Sequence, residues 1–166
     1  LRNKLCVSNI EDFSKENTFH RVLWDHALDP KAEGFLKLKD KSKIRKVIMC
    51  SGKVYFDLLA AREKLKVDDV ALYRIEQLYP FPAKALVKEL RPFANNSNFF
   101  WCQEEPKNMG GWNTVRNYID RTLEIINFKD INVKYVGRQA SSSTATGNAN
   151  KHLAQQKEIL EKVFKV

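Results

Sequence analysis

The chain has 166 residues, of which 43% are hydrophobic, so it contains enough apolar surface for one ordinary domain with a full core and is not a disordered chain. Six Gly and five Pro exclude collagen-like and low-complexity sequences, and the longest apolar runs are far shorter than a membrane span. The 29 Lys and Arg residues against 20 Asp and Glu give a net charge of +9. We therefore expect a soluble, basic protein.

The first 43 residues show no clean hydrophobic period and begin at Leu1 without a leader or transit pattern. This irregularity predicts that residues 1–43 are an N-terminal arm or a linker from a preceding domain. The chain is then expected to be a fragment of a longer protein, with residues 44–166 as its folded domain.

From residue 44 onward, β-branched apolar runs alternate with stretches of helical spacing, and Gly, Pro and Glu-Pro turns separate them. Strands that alternate with helices of this length predict an α/β fold with three layers, α/β/α, around a mainly parallel sheet. The predicted strands are 44–50, 70–75, 98–103 and 131–136, and the predicted helices are 53–66, 83–90, 112–126 and 147–164.

Ligands of such sheets bind beyond the carboxyl ends of the strands, which directs attention to the loops after residues 50, 75, 103 and 136. Ser51-Gly52-Lys53 places a hydroxyl and an ammonium at a helix start, where free N–H groups attract anions; a simple N-cap explains it equally well. Arg138 precedes the hydroxyl-rich loop 141–147, which is a second possible anion site, although a loop with a capping Ser or Thr is the plainer interpretation.

Other reactive residue types form no recognisable constellation. Glu104 and Glu105 could act as an acid–base pair, but adjacent side chains in an extended segment point apart, which favours a structural role. The three histidines form neither a ligand cluster nor a Ser-His-Asp order, and the three cysteines contain no CxxC pair. We therefore predict no catalytic residue and no metal site, and we expect Cys50 and Cys102 to be core residues.

Four segments in order carry a family resemblance: VIMCSGKVY at 47–55, RIEQLYPFP at 74–82, WCQEEPKNMG at 101–110 and YVGRQASSS at 135–143. Together they closely resemble the C-terminal region of 2-oxoglutarate dehydrogenase, a member of the transketolase-like family. The resemblance covers essentially the whole chain and implies a transketolase C-terminal-like α/β domain.

The resemblance further implies a parent enzyme that uses thiamine diphosphate and Mg²⁺ to decarboxylate 2-oxoglutarate and passes the succinyl group to a lipoyl carrier in the tricarboxylic acid cycle. The cofactor is then bound by preceding domains, and this fragment alone is expected to be inactive. Implied partners are those domains, a second copy in a homodimer, dihydrolipoyl succinyltransferase and dihydrolipoyl dehydrogenase. The expected compartment is the bacterial cytoplasm, or the mitochondrial matrix for a eukaryotic protein.

Members of the family are also described as binding acetyl-CoA or AMP as effectors near this domain. The candidate effector contacts that the resemblance implies are Arg21, Ser51, Lys53, Gln103 and Arg138. Gln139 stands where relatives have a second basic residue, which weakens the case for tight diphosphate binding. The acidic residues in the matched loops, Glu76, Glu104 and Glu105, are candidates for the interface with a neighbouring domain.

Two alternatives remain open. Six of the ten residues from 37 to 46 are basic, so the chain could be a binding module for nucleic acid or an acidic partner, although a solvated linker explains the run more simply. The chain could also be the equivalent domain of another 2-oxo acid dehydrogenase, against which the LYPFP segment at 78–82 argues. The preferred interpretation includes neither a nucleic acid nor a membrane partner.

Overall fold

A computed structural model describes residues 6–7, 10–14, 18–28, 33–95 and 97–165 of the chain. Within these residues, strands and helices alternate from residue 46 to the C-terminal helix, which confirms the predicted α/β class. No helix of the described part is both long and apolar enough to cross a membrane.

The sheet has five strands: β1 Val22–Leu23, β2 Lys46–Cys50, β3 Val70–Ile75, β4 Asn98–Pro106 and β5 Lys134–Arg138. Their order in the sheet is β1-β3-β2-β4-β5, with β2 to β5 mutually parallel and β1 antiparallel at one edge. The central strand β2 pairs Lys46 with Val70 of β3 on one side and with Asn98 of β4 on the other.

Four helices cover the two faces of the sheet and give the predicted three layers. Leu86 of α2 and Ile119 of α3 belong to the core on one face, while Leu58 of α1 and Ile159 of α4 belong to the core on the other. Residues of β2, β3 and β4 are buried on both faces, which explains why their sequences are continuous apolar runs. The helices are α1 Val54–Leu65, α2 Ala83–Leu90, α3 Trp112–Ile125 and α4 Ala149–Phe164.

Part of the predicted arm packs closely on the domain. Val22 and Leu23 form β1 and pair with Ile75 and Arg74. Just after them, the fully buried carboxylate of Asp25 forms a two-pronged ion pair with the fully buried guanidinium of Arg62 from α1. The carboxylate also accepts hydrogen bonds from the backbone N–H groups of Leu72, at 2.8 Å, and Ala27, at 3.1 Å.

Several predicted element bounds are wrong. Strand β4 continues to Pro106, so Glu104 and Glu105 lie in a strand that shifts register against β5, and not in a loop. Strand β5 begins and ends later than predicted and includes Arg138. Of the predicted arm 1–43, residues 1–5, 8–9, 15–17 and 29–32 lie outside the described part, and the domain boundary at 43 stays a prediction.

Candidate anion site at the carboxyl edge of the sheet

The five predicted effector contacts lie along one edge of the sheet. Ser51 and Lys53 follow β2, Gln103 lies near the end of β4, and Arg138 ends β5. The carbonyl of Arg21 accepts hydrogen bonds from the backbone N–H groups of Glu76 and Gln77 beyond β3. Since neighbouring strands are about 4.8 Å apart, the Arg21 and Arg138 ends of this edge are separated by roughly 19 Å. Only an extended ligand could contact both ends.

Lys53 is already paired with two carboxylates of the chain itself. Its Nζ lies 2.6 Å from Oδ2 of Asp57 and 3.0 Å from Oε2 of Glu104. Burial by itself lowers the pKa of Lys53, but the hydrogen bonds to Asp57 and Glu104 outweigh it and raise the pKa above its ordinary value. The ammonium therefore contributes little uncompensated charge to an anion. Gly52, with φ of +72°, makes the tight turn that brings this lysine from β2 to the start of α1.

Gln103 is buried and organises the chain after it. Its Oε1 accepts from Trp101 Nε1 at 3.0 Å and from the backbone N–H of Trp112 at 2.9 Å. Its Nε2 donates to the carbonyls of Met109 at 2.7 Å, Pro106 at 3.1 Å and Glu105 at 3.3 Å. These contacts occupy both ends of the amide and fix the turn between β4 and α3.

The three acidic candidates differ in how they are held. Oε1 of Glu76 lies 2.6 Å from Nε of Arg74, whose guanidinium stacks at 4.9 Å from the ring centroid of Tyr55. Glu104 is paired with Lys53, as described above. Glu105 is exposed, and no ion pair joins it to another described residue.

Arg138 has a guanidinium whose hydrogen bonds are only partly satisfied. Its Nη2 lies 2.9 Å from Nδ1 of His152, a neutral-ring contact, because only an unprotonated ring nitrogen can accept this hydrogen bond. Its Nε is buried and has no hydrogen-bond partner. No carboxylate within the described ranges forms an ion pair with Arg138, so none of these residues neutralises its positive charge.

The backbone of Arg138 is fixed by Tyr135 and Gly137. The Tyr135 hydroxyl donates to the Arg138 carbonyl at 2.8 Å, and the backbone N–H of Lys107 donates to the same carbonyl at 3.2 Å. The phenol passes so close to Gly137 that a Cβ there would lie 2.4 Å from the Tyr135 hydroxyl oxygen and 2.8 Å from the Gln103 carbonyl. Gly137 is therefore required by this close approach. Burial raises the pKa of Tyr135 to about 12, which keeps its hydroxyl protonated as a donor.

Arg138 opens onto two neighbouring cavities of about 60 and 180 Å³, which are smaller than the pocket of a whole drug-sized ligand and can take only a small group. Both are lined by Lys151 and Gln155 of α4 and by Ser141. The smaller cavity is also lined by the hydroxyl-bearing loop that ends at the start of α4, where the Asn148 side chain accepts a hydrogen bond from the backbone N–H of Lys151. Its lining has two cationic side chains and no acidic one, which favours an anion.

A pair of hydrogen bonds joins the two loops that border these cavities. Asn108 donates through Nδ2 to the Ser141 carbonyl at 2.9 Å, and Asn108 Oδ1 accepts from the Ser141 backbone N–H at 2.9 Å. The loop after β4 thus holds the loop after β5 at a fixed position. Neither Asn108 nor the α4 residues are among the site residues that the sequence predicts.

One sequence signal could have identified the α4 residues. Ile159 and Val163 are buried at an i, i+4 spacing, and the same row extends toward the N-terminus as Gln155 and Lys151. Polar side chains on the row that elsewhere faces the core indicate a polar cavity beneath the helix start.

The basic run 37–46 lies toward the opposite edge. Lys39 Nζ is 2.9 Å from Oδ1 of Asp68, and Arg45 Nε is 2.9 Å from Oδ1 of Asp69. Lys46 Nζ donates to the carbonyls of Val163 and Lys165 near the end of α4. Lys41 Nζ lies 6.0 Å from the ring centroid of Phe93, so at least four of the six basic residues are engaged within the chain.

The described part of the chain offers no ligand set for the expected Mg²⁺. It contains no group of three or more His, Cys, Asp or Glu side chains that could hold a metal ion. We therefore assign no described residue to the cofactor. The buried Cys50 and Cys102 are free thiols in the core on the α1 and α4 face, as predicted, and burial raises the pKa of Cys102 to about 12.

Comparison with known proteins gives one consistent result. A family model described as 2-oxoglutarate dehydrogenase C-terminal matches residues 7–164. The chain is 52% identical over 161 residues to the 2-oxoglutarate dehydrogenase E1 components of Brucella anthropi and Brucella ovis, and 51% identical to that of Brucella abortus. These alignments cover 97% of this chain but 16% of each relative, so the chain spans a small part of their length.

Proposed function

The chain belongs to the 2-oxoglutarate dehydrogenase C-terminal family, and from this membership we propose that it is the C-terminal domain of a thiamine diphosphate-dependent 2-oxoglutarate dehydrogenase. The parent enzyme decarboxylates 2-oxoglutarate and transfers the succinyl group to a lipoyl carrier. The domain itself has a structural and regulatory role and no turnover of its own. The name of the relatives, 2-oxoglutarate dehydrogenase E1 component, supports this assignment over other 2-oxo acid dehydrogenases.

The proposal places the domain within a larger assembly. It packs against the preceding domains of its own chain and takes part in a homodimer, which acts with dihydrolipoyl succinyltransferase and dihydrolipoyl dehydrogenase. Thiamine diphosphate and Mg²⁺ are held outside the described residues. The bacterial source of the relatives supports the bacterial cytoplasm as the compartment.

The regulatory part of the proposal is an anion effector site centred on Arg138, with acetyl-CoA or AMP as the ligand. One observation carries it: the guanidinium of Arg138 has a neutral partner and a buried, partnerless Nε at a cavity that contains a second cation and a hydroxyl-rich loop. A buried donor without a partner costs about 1–3 kcal/mol, and a ligand phosphate that accepts from it recovers that free energy.

The other predicted effector contacts differ in how available their side chains are to a ligand. Gln103 has both amide ends occupied and acts by holding the loop, and Lys53 is neutralised by two carboxylates. Arg21 and Ser51 lie farther along the same edge, where only the extended acetyl-CoA could reach them in addition to Arg138. The proposal therefore distinguishes its two ligands, because AMP binding requires Arg138 but not Arg21.

Calorimetric titration of the 166-residue chain with acetyl-CoA and, separately, AMP tests the site. Arg138→Ala is expected to weaken binding about tenfold or more, since hydrogen bonds to charged groups contribute about 1.5–3 kcal/mol. Arg121→Ala is the matched control, because Arg121 is an exposed arginine of α3 that pairs with Glu124. Absence of binding to both ligands, or an equal loss in both variants, contradicts the effector site.

Two surfaces at the same edge support docking of a neighbouring domain. Tyr79 is 79% exposed after β3, and next to it Phe81 stacks on Tyr118 of α3 at 5.1 Å between ring centroids. An exposed aromatic group of this kind is typical of an interface. Glu105, which has no ion-pair partner among the described residues, supplies a charge for the interface.

Replacement of Glu105 by Gln in the full-length enzyme tests the docking role. We expect weaker assembly in gel filtration and lower decarboxylase activity, because the variant loses a charge that a neighbouring domain pairs. Glu124→Gln, at an exposed position of α3, is the control. Unchanged assembly and rate in the Glu105 variant contradict the interface role of this residue.

A further inference from the structure

Two buried side-chain atoms without hydrogen-bond partners lie at the same cavities. They are Nε of Arg138 and Oε1 of Gln155, and both residues line the cavity of about 60 Å³ and the cavity of about 180 Å³. Other buried atoms that lack a partner, Arg62 Nε, Tyr73 Oη and Gln156 Oε1, belong to residues that line neither cavity. Because buried polar groups are nearly always paired, two unpaired atoms at one cavity are available to a group that binds there.

The two atoms require opposite hydrogen-bonding groups in a ligand. Arg138 Nε can only donate a hydrogen bond, so it needs an acceptor, while Gln155 Oε1 can only accept one, so it needs a donor. Lys151 adds a second positive charge to the lining of both cavities, and the larger cavity is also lined by Lys162 and Glu158. A ligand group that pairs both atoms presents an acceptor oxygen and a donor hydroxyl next to each other, and the smaller cavity, whose lining has no acidic residue, favours one that is negatively charged.

We propose that Gln155 makes the Arg138 site selective for a phosphate group that retains one proton. In such a group an ionised P–O⁻ oxygen accepts from Arg138, and the P–OH donates to Gln155. The inference rests on the proposed anion site and adds the chemical form of its ligand. Sulfate carries no proton at neutral pH, so it can satisfy Arg138 but leaves the Gln155 oxygen unpaired.

The contrast between inorganic phosphate and sulfate gives the test. Backbone amide chemical shifts of the 166-residue chain are followed in titrations with each anion at about pH 7, where inorganic phosphate is still protonated. We expect phosphate to bind about tenfold more tightly than sulfate, which is the effect of one charge-assisted hydrogen bond. Gln155→Leu removes the acceptor and is expected to weaken phosphate about tenfold while sulfate changes less than about twofold.

Gln156→Leu is the matched control. Gln156 is the next residue of α4, but its amide donates to Asp57 at 3.0 Å and it does not line either cavity. Its replacement is expected to leave the preference for phosphate intact. The retained sulfate affinity of Gln155→Leu shows that the variant is folded and that its Arg138 site is intact.

The outcomes separate this inference from the function it rests on. Equal affinity for the two anions, or an unchanged preference in Gln155→Leu, overturns the role of Gln155 while anion binding itself supports the Arg138 site. Failure of both anions to bind, together with failure of acetyl-CoA and AMP in the calorimetric experiment, overturns both. AMP titrated in the same way distinguishes a phosphate ester from free phosphate, because the tighter of the two identifies the source of the phosphate group.

Discussion

Two arginines at opposite ends of the sheet show what distinguishes a structural cation from one available to a ligand. Arg62 has no exposed surface, and a buried carboxylate, Asp25, neutralises it with two hydrogen bonds. Arg138 is only half-buried, and its one side-chain partner in the described structure is the neutral ring of His152. Both have a partnerless Nε, so the unpaired atom alone does not define a site. The distinguishing features are the uncompensated charge and the adjoining cavity.

The same contrast recurs in two glutamines. Gln103 has both amide ends hydrogen-bonded within the turn between β4 and α3, whereas the buried oxygen of Gln155 has no partner. Residue type is therefore a poor guide to function at this edge, and the satisfaction of each polar atom is a better one. Four substitutions test this contrast, and their expected effects on stability decrease from Asp25→Ala to Lys53→Met.

Asp25→Ala is expected to have the largest effect on stability. It leaves the buried Arg62 guanidinium without its counter-charge, and breaking one side of a buried ion pair costs about 3–5 kcal/mol. Urea denaturation followed by circular dichroism measures the free energy of unfolding. The double variant Asp25→Leu, Arg62→Met is the control, since an apolar pair in place of the ions should recover most of the loss. A loss below about 1 kcal/mol in Asp25→Ala contradicts the structural role.

Gln103→Leu is expected to cost about 2–4 kcal/mol, because it leaves the Trp101 and Trp112 N–H groups and several loop carbonyls unsatisfied. Gln155→Leu is the matched substitution and should change the free energy of unfolding by less than about 0.5 kcal/mol. The same urea titration compares them. Similar losses of unfolding free energy in the two variants would contradict the distinction between Gln103, whose amide is fully hydrogen-bonded, and Gln155, whose oxygen has no partner.

Gly137→Ala should have an intermediate effect, about 1–3 kcal/mol, because the added methyl group overlaps the Tyr135 hydroxyl and the Gln103 carbonyl. Displacement of the phenol releases the Arg138 carbonyl, so anion affinity should fall together with stability. Tyr135→Phe, which removes only the hydroxyl, is expected to cost about 1 kcal/mol. Thermal unfolding and phosphate titration measure the two quantities, and a stable Gly137→Ala chain with full affinity would contradict the positioning role.

Lys53→Met should have the smallest effect, about 0.2–1 kcal/mol, because its ion pairs with Asp57 and Glu104 are solvent-exposed. The raised pKa of Lys53 gives the sign of the pH dependence. The stabilisation is present below the ordinary lysine value of 10.5 and is lost as the pH rises through the higher folded-state value. Unfolding of the two chains at neutral and strongly alkaline pH should show a difference only at neutral pH.

The fold could be predicted from the sequence wherever hydrophobic periodicity was strong. The apolar runs of β2 and β3 and the period of α2 predicted these elements within two residues. Strand β1 has only two residues, too few to show a period, and its formation depends on pairing with β3. The extension of β4 to Pro106 involves polar residues that join the strand through a register shift, which alternation does not predict.

The site was predictable only in part. Arg138 was predicted because it follows a glycine at the end of a predicted strand. Its partner His152 is fourteen residues away, and the hydrogen-bonded Asn108 and Ser141 are thirty-three residues apart. Such contacts depend on how the loops after β4 and β5 meet at the edge. Conversely, Gln103 resembled a ligand contact because its place in the strand is visible in the sequence, while the partners that occupy its amide are not.

The position of Asp25 has a consequence for aggregation. Strand β1 pairs only with the end of β3, at Arg74 and Ile75. Two residues before Arg74, the backbone N–H of Leu72 donates a hydrogen bond to the Asp25 carboxylate. An apolar strand with free N–H groups at a sheet edge is a template on which strands of other molecules add. The buried carboxylate occupies this N–H group and so closes that part of the edge. Loss of Asp25 should therefore make the folded chain prone to self-association through β3, even under conditions in which it remains folded.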